Sequence, residues 1–122
     1  MARHNQIGSD GENVAAEYLK GLGWKVVTRN FRRPYGEIDI VARETGGKLV
    51  FVEVKTVSYG TQYRGEENVH PQKLKRLSRT IQSYLLTKQE EGEWQFDVVV
   101  VELDPFTRNA RIRHLEDIII GS

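Results

Sequence analysis

The sequence predicts an α/β fold with the element order α-β-β-β-α-β, in which helices flank a mixed central sheet and one extra strand is added at its edge. Segments 9–22 and 71–85 place apolar residues at helical spacing. Two apolar, β-branched runs flank Gly46-Gly47 and indicate a β-hairpin. The apolar run 96–101 follows the second helix, which therefore acts as a crossover and makes this strand parallel to the third.

Length and composition favour one cytoplasmic domain. The chain has 122 residues, 39% hydrophobic and 29% charged, which suits a single domain over 1–122 with 1–8 and 116–122 peripheral. It has no cysteine, which excludes disulfides and thiolate chemistry. No apolar run resembles a signal peptide or a membrane span. The net charge is only +1, so contact with nucleic acid requires local clustering of cations.

The first helix is predicted to begin at Ser9, after a loose start. Ser9 and Glu12 have the Ser-x-x-Glu form of a capping box, which makes Glu12 a helix cap on local grounds. Gly21 or Gly23 ends the helix as a left-handed terminal residue. The buried stripe is Val14, Ala15, Tyr18, Leu19 and Leu22.

The first strand is predicted at 24–28, and a basic, aromatic connection follows at 29–35. The arms of the hairpin, 36–43 and 48–55, supply the second and third strands. Alternation of side chains places Ile38, Ile40 and Ala42 on one face of the second strand.

Three charged residues, Asp39, Glu53 and Lys55, interrupt the apolar arms of this hairpin. Pairing of Glu44 with Lys48 across the turn would place Asp39 opposite Glu53 and gather the three charges at one end of one face. Two close carboxylates repel each other, and a hard divalent cation removes that penalty. The pattern predicts metal-assisted phosphodiester hydrolysis, with Lys55 orienting water or neutralising a phosphate. The alternative is a structural ion pair between Glu53 and Lys55.

Segment 56–68 is predicted to be a polar, mobile loop beside the end of the third strand. Tyr59 and Arg64 lie in it, and loops in such a position often contact substrate. The alternative is a solvated connection without a role.

The second helix is predicted to begin at His70-Pro71, because proline suits the first turn. Its apolar stripe is Leu74, Leu77, Ile81, Tyr84 and Leu85, and its first half carries Lys73, Lys75, Arg76 and Arg79. A cluster of one sign soon after Lys55 favours contact with phosphates. The alternative is an ordinary solvated face.

The strand at 96–101 is apolar throughout, which is typical of a strand buried on both faces. Residues 111–115 indicate an edge strand whose charges point outward as edge protection. Residues 118–120 are expected to pack back on the core.

These residues resemble a known pattern. Asp39, followed in the next strand by Glu53-Val54-Lys55, has the form of the PD-(D/E)XK nuclease motif, although Ile38 replaces the proline that gives the motif its name. More narrowly, the chain resembles the YraN family of small bacterial proteins, which is similar to archaeal Holliday junction resolvases. The matching segments are 8–12, 15–16, 36–40, 51–55 and 96–99.

The resemblance implies a restriction-endonuclease-like fold and a set of roles. It assigns metal binding to Asp39 and Glu53, catalysis to Lys55, and a place in the acidic cluster to Glu12, which cannot cap its helix and bind metal at once. The Val54 carbonyl is a further implied ligand. Gln72 and Lys73 match a polar position at the start of the second helix.

The sequence therefore yields a first hypothesis of a Mg²⁺- or Mn²⁺-dependent endonuclease on DNA, with branched DNA as a candidate substrate. Nucleic-acid contacts are expected from Tyr59, Arg64, Gln72, Lys73, Lys75, Arg76 and Arg79. Cleavage of a four-way junction would require two sites, hence a homodimer. The alternatives are a nucleic-acid-binding module that does not cleave and an interaction domain without a nucleic-acid partner.

Overall fold

A computed structural model of the chain describes residues 2–60, 70–104, 106–107 and 109–120, with side chains described from Asp10 onward. Five strands form one sheet in the order β1-β2-β3-β4-β5. Strands β3 and β4 are parallel and the other neighbours are antiparallel. The elements are α1 (Ala2–Gly21), β1 (Lys25–Arg33), β2 (Gly36–Arg43), β3 (Leu49–Ser58), α2 (Pro71–Thr87), β4 (Trp94–Leu103) and β5 (Ala110–Leu115). The predicted mixed α/β sheet with an added edge strand is confirmed.

The two helices cover opposite faces of the sheet. Leu77, Ile81 and Tyr84 of α2 pack with one set of strand residues, whereas Ala15 and Leu19 of α1 pack with the other. Strand β4 contributes to both sets, as predicted for a strand buried on both faces: Phe96, Val98 and Val100 lie toward α2, and Val99 and Val101 lie toward α1. In the described part of the chain, no helix is sufficiently long and apolar to cross a membrane.

Helix α1 begins earlier than the sequence predicts. It runs from Ala2, so the loose start and the capping box at Ser9 and Glu12 are both wrong. The reason is that a helix already formed upstream bonds the amides around Ser9 to carbonyls one turn earlier, and no cap is needed there. The predicted end is confirmed, because Gly23 has φ +89° and its amide donates to Lys20 O at 2.9 Å. Leu22 is 44% exposed and lies outside the buried stripe.

Strand β1 is longer than predicted. It continues to Arg33, so only Pro34 and Tyr35 separate it from β2. Pairing with β2 extends the strand through its basic residues, for example Arg32 opposite Glu37. The strand is irregular, with a register shift between Val26 and Thr28 and a left-handed Asn30 at φ 55°.

The hairpin of β2 and β3 has the predicted register. The amide of Glu44 donates to Lys48 O at 3.0 Å, and the pairs run from Arg43 and Leu49 to Ile40 and Val52. One prediction is wrong: Ile38 packs on the α2 side, whereas Ile40 and Ala42 pack on the α1 side. The described β2–β3 pairs stop at Ile40, beside the left-handed Asn30 of β1, and the regular alternation of faces is lost there.

Helix α2 begins as predicted. His70 is the N-cap, its Nδ1 accepts from the Gln72 amide at 3.3 Å, and Pro71 occupies the first turn. The stripe also contains Thr80, which is fully buried and donates to Arg76 O at 2.7 Å. The sequence reading did not include Thr80, since a polar residue does not contribute to an apolar pattern.

Strand β5 pairs with β4 at the edge. The tail returns to the core as predicted at Ile118 and Ile120, whereas Ile119 is 85% exposed. The Ile118 amide donates to Phe96 O at 2.7 Å, and Ile118 packs on the α2-side core. The outward direction predicted for the charges of β5 is wrong for His114, whose Nε2 lies 2.7 Å from the buried Asp97.

Candidate active site

Asp39 lies on β2 next to Ile40, the residue at which the described β2–β3 pairs end. Its Oδ2 accepts a hydrogen bond from the Val54 amide at 2.7 Å. Burial is the largest cause that raises the pKa of the Asp39 carboxyl from 3.8 to about 6. The hydrogen bond from Val54 lowers this pKa, whereas the charges of Glu12, Glu53 and, least, Glu37 raise it. A half-buried carboxylate thus faces the negative charges of both helix α1 and strand β3.

Glu12 reaches this region from α1. The preceding residue, Gly11, approaches β3 so closely that a Cβ there would collide with the Thr56 side chain. The Glu12 side chain is 26% exposed, and its Oε1 lies 3.7 Å from Arg29 Nη2 of β1. The charge of Glu12 raises the pKa of Asp39, and the place of Glu12 in a metal-binding cluster stays a prediction.

Glu53 lies on β3, next to Val54. It forms an ion pair with Lys73 of α2, with Nζ and Oε1 3.1 Å apart and the Glu53 side chain 20% exposed. This ion pair joins β3 to α2, and the alternative of an ion pair between Glu53 and the neighbouring Lys55 stays a prediction. Lys73 pairs with Glu53 in this structure, and its contact with nucleic acid stays a prediction.

Lys55 follows Glu53 by two residues on a regular strand, so both side chains start from the same face of β3. Lys55 is exposed. Val54 between them contacts Asp39 through its amide. A ligand role for the Val54 carbonyl stays a prediction.

The other α2 residues predicted to contact nucleic acid lie on the surface, and Arg76 and Arg79 are beside the β1–β2 turn. Gln72, Lys75, Arg76 and Arg79 are all exposed. The Arg79 guanidinium lies over the Tyr35 ring, 3.9 Å from its centroid. Tyr59 follows the end of β3 and lies under Arg111, at 4.9 Å. Arg64, and with it most of the predicted loop, lies outside the described residues.

The sequence reading missed a second polar cluster, on the α1 side of β4 and β5. Asp97 is fully buried and accepts from Gln95 Nε2 at 2.8 Å and from the Asp117 amide at 2.9 Å, while His114 Nε2 lies 2.7 Å away. His114 Nδ1 lies 2.9 Å from the Tyr18 hydroxyl. An aspartate inside an apolar strand was the available signal, because a buried carboxylate requires partners.

The two clusters differ in their spacing. Among described residues, the ligand atoms of Asp97, His114 and Glu116 all lie within 4.8 Å of one another, whereas Glu12, Asp39 and Glu53 form no such group. Both ring nitrogens of His114 and both oxygens of Asp97 already have hydrogen-bond partners. The Asp97 cluster is thus satisfied as it stands, whereas the carboxylates around Asp39 still repel one another.

Comparison with known proteins gives a family model and curated relatives of the same family. A family model described as "Uncharacterised protein family UPF0102" matches residues 11–101. A UPF0102 protein of Corynebacterium efficiens is 37% identical over 117 residues, covering 96% of this chain and 94% of that protein. One of Chlorobium limicola is 41% identical over 110 residues, covering 89% and 84%. A solved structure titled "The structure of Pyrococcus Furiosus SfsA in complex with Ca2+" aligns with TM-score 0.39 and 17% identity, covering 93% of this chain and 63% of that one.

Proposed function

The chain belongs to Uncharacterised protein family UPF0102, the YraN family indicated by its motifs, and we propose that it is a metal-dependent endonuclease that hydrolyses phosphodiester bonds in DNA. The observation that carries the proposal is the environment of Asp39. Its half-buried carboxylate has a pKa raised to about 6 and faces the charges of Glu12 and Glu53. Strongly perturbed carboxylates of this kind are concentrated at functional sites.

The donor set fits Mg²⁺ or Mn²⁺. Asp39, Glu53 and Glu12 offer carboxylate oxygens, which hard divalent cations prefer. Bound positive charge would remove the repulsion that raises the pKa of Asp39. The Glu53–Lys73 ion pair has to loosen for Glu53 to serve as a ligand. When bound, the cation supplies Lewis acidity toward the phosphate and lowers the pKa of water.

The chain's own residues would divide the remaining work. The hydrogen bond from Val54 holds Asp39 in place against the end of β3. Exposed Lys55, on the same face as Glu53, would meet the phosphate and neutralise the charge that grows on its oxygens as water attacks phosphorus and the bond to the sugar oxygen breaks. Lys73, once released from Glu53, would be free to contact a neighbouring phosphate.

The experiment is incubation of four-way junction, duplex and single-stranded DNA with the protein in Mg²⁺, in Mn²⁺ and in EDTA. We expect metal-dependent cleavage by the wild type and a loss of at least about 100-fold in Asp39→Asn and Lys55→Ala. Matched controls are Asp10→Asn and Lys25→Ala, whose side chains are exposed on α1 and β1. Cleavage that survives both site substitutions would come from a contaminant, and the proposal would fail.

A second candidate, a nucleic-acid-binding module that does not cleave, is favoured by one observation. The Glu53–Lys73 ion pair at 3.1 Å gives Glu53 a structural partner in the absence of any cation. Salt-dependent DNA binding without metal-dependent cleavage would select this candidate. Lys73→Ala separates the two: an endonuclease retains metal-dependent cleavage, whereas a module shows weaker DNA binding and no cleavage with either metal.

A further inference from the structure

The β1–β2 turn is fixed tightly on helix α2. A Cβ at Gly36 would lie 2.6 Å from Thr80 Oγ1 and 3.4 Å from Arg76 O, so the strand meets the helix there without an intervening side chain. Arg33 Nε donates to Ser83 Oγ at 3.0 Å. The turn and the outer surface of α2 therefore form one continuous surface.

An arginine and an aromatic ring stack on this surface. The Arg79 guanidinium carbon lies 3.9 Å from the centroid of the Tyr35 ring. Tyr35 is half-buried and Arg79 is exposed. In the described part of the chain, the Tyr35 ring is the one group that the Arg79 guanidinium contacts. Because one face of the planar guanidinium rests on the ring, its other face points away from Tyr35. A nucleobase can stack on such a plane.

The charge on the surface is positive without acidic compensation. In the described part of the chain, Arg33, Arg76 and Arg79 form no ion pair with a carboxylate. Nearby cations are neutralised, for example Arg32 by Glu37 at 3.1 Å. Phosphates are the natural partners of arginines grouped in this way. We call Arg33, Tyr35, Arg76 and Arg79 the Tyr35 surface.

The geometry points to the Tyr35 surface as a binding site for an unpaired, single-stranded segment of nucleic acid, a proposal that rests on the proposed function by naming its substrate class. Arg76 contacts a backbone phosphate, and one base stacks on Arg79 over Tyr35. Arg33 is held by Ser83, Thr87 and the Arg32 carbonyl and adds positive charge. Bases inside a duplex are covered by their neighbours, so this contact requires an unpaired nucleotide. Gly36 lies three residues before Asp39 on β2, about 10 Å along the strand, so the unpaired segment flanks the cleaved phosphate.

The test measures binding in EDTA, so that cleavage and metal play no part. Fluorescence anisotropy compares a 5′-labelled single strand with the duplex of the same sequence, each over a salt series. We expect Tyr35→Ala to weaken single-strand binding about tenfold and duplex binding less than about twofold. Tyr35→Phe retains the ring and stays within about twofold of the wild type. Arg79→Lys retains the charge but loses the planar group, so it weakens single-strand binding while the salt dependence is unchanged.

Equal losses on both substrates in Tyr35→Ala, or an unchanged single-strand affinity in Arg79→Lys, would overturn the inference. Thermal unfolding of each variant shows whether the fold is retained, and Arg79→Lys keeps the test valid if Tyr35→Ala unfolds. The outcome is independent of the proposed catalysis. A wild type that binds single strands through Tyr35 but never cleaves would refute the endonuclease alone, and one that cleaves with Tyr35→Ala unaffected in binding would refute this surface alone.

Discussion

The carboxylate of Asp39 accepts a 2.7 Å hydrogen bond from the main-chain amide of Val54, the residue between Glu53 and Lys55. This contact continues the association of β2 and β3 beyond the last described ladder pair, Ile40 with Val52. It holds the Asp39 carboxylate of β2 beside Glu53 and Lys55 of β3. The chemistry proposed for this site depends on this hydrogen bond and on the packing that supports it.

Asp39→Asn should stabilise the metal-free protein at neutral pH. Because the pKa of Asp39 is raised to about 6, the folded state binds more protons than the unfolded state between pH 3.8 and 6, so the wild type loses stability as pH rises through that window. The full penalty above pH 6 is about 3 kcal/mol at most. Urea denaturation at pH 4.5 and 7.5 should show a stabilising effect of the substitution that is larger at pH 7.5. A constant difference would contradict the prediction.

Metal binding should depend on the same carboxyl. Mn²⁺ in millimolar excess should raise the thermal midpoint of the wild type at pH 7.5, because a ligand that binds only the folded state stabilises it. The rise should shrink below pH 6, where Asp39 takes up a proton. Differential scanning fluorimetry would measure both. In Asp39→Asn the rise should be absent, and an equal rise there would place the ion elsewhere, with the Asp97 cluster as the first place to look.

Lys55→Ala should separate catalysis from metal binding. Lys55 is exposed, and exposed ion pairs contribute little, so its removal should change the free energy of unfolding by less than about 1 kcal/mol. Cleavage should fall at least about 100-fold, whereas the Mn²⁺-dependent rise in thermal midpoint should persist. Lys25→Ala on β1 is the control for loss of one exposed positive charge. Loss of the thermal shift in Lys55→Ala would mean that this residue supports the fold of the site instead.

Gly11→Ala should displace α1 from the sheet. The added Cβ would collide with Thr56, at a cost of roughly 1–3 kcal/mol in the free energy of unfolding. Gly21→Ala in the same helix is the matched control, since nothing lies within 4 Å of the added Cβ there. Chemical denaturation compares the two. Thr56→Ala should restore part of the stability of Gly11→Ala, and a double variant no more stable than the single one would argue against the collision.

Asp97→Ala should be severely destabilising. Removal of the carboxylate leaves His114, Gln95 and the Asp117 amide without their buried partner, which costs roughly 3–5 kcal/mol. A double-mutant cycle with His114→Ala in urea should give a coupling energy above about 1 kcal/mol. Cleavage per folded molecule should be unchanged, because this cluster lies on β4 and β5. Additive effects of the two substitutions would show that the contact contributes little.

Local patterns in the sequence were sufficient for the hairpin, the α2 start and the doubly buried β4, because each depends on near neighbours or on composition. The Gly46-Gly47 turn and the pairing of Glu44 with Lys48 set the register of Asp39. Features that depend on distant partners were not predictable in this way. Arg33 continues a strand only because β2 lies beside it.

The same limit applied to the candidate site. Its acidic and basic residues follow from motifs on two strands and a helix start, whereas the ion pair of Glu53 with Lys73 joins elements that are distant in sequence and was not predicted. The contact between Asp97 and His114 was not predicted, because it forms only when β5 pairs with β4. For Glu12, the local capping signal was misleading, since the helix had already begun at Ala2.

The parallel β3–β4 pair has a consequence for folding. Leu49 pairs with Trp94, so the centre of the sheet closes only after the intervening chain, including α2, has been made and folded back. Asp39, Glu53 and Lys55 all precede that point. During synthesis, the strand bearing two of them exposes an unpaired apolar edge until β4 emerges from the ribosome. Chains that stop before Trp94 should therefore aggregate rather than yield a smaller working protein.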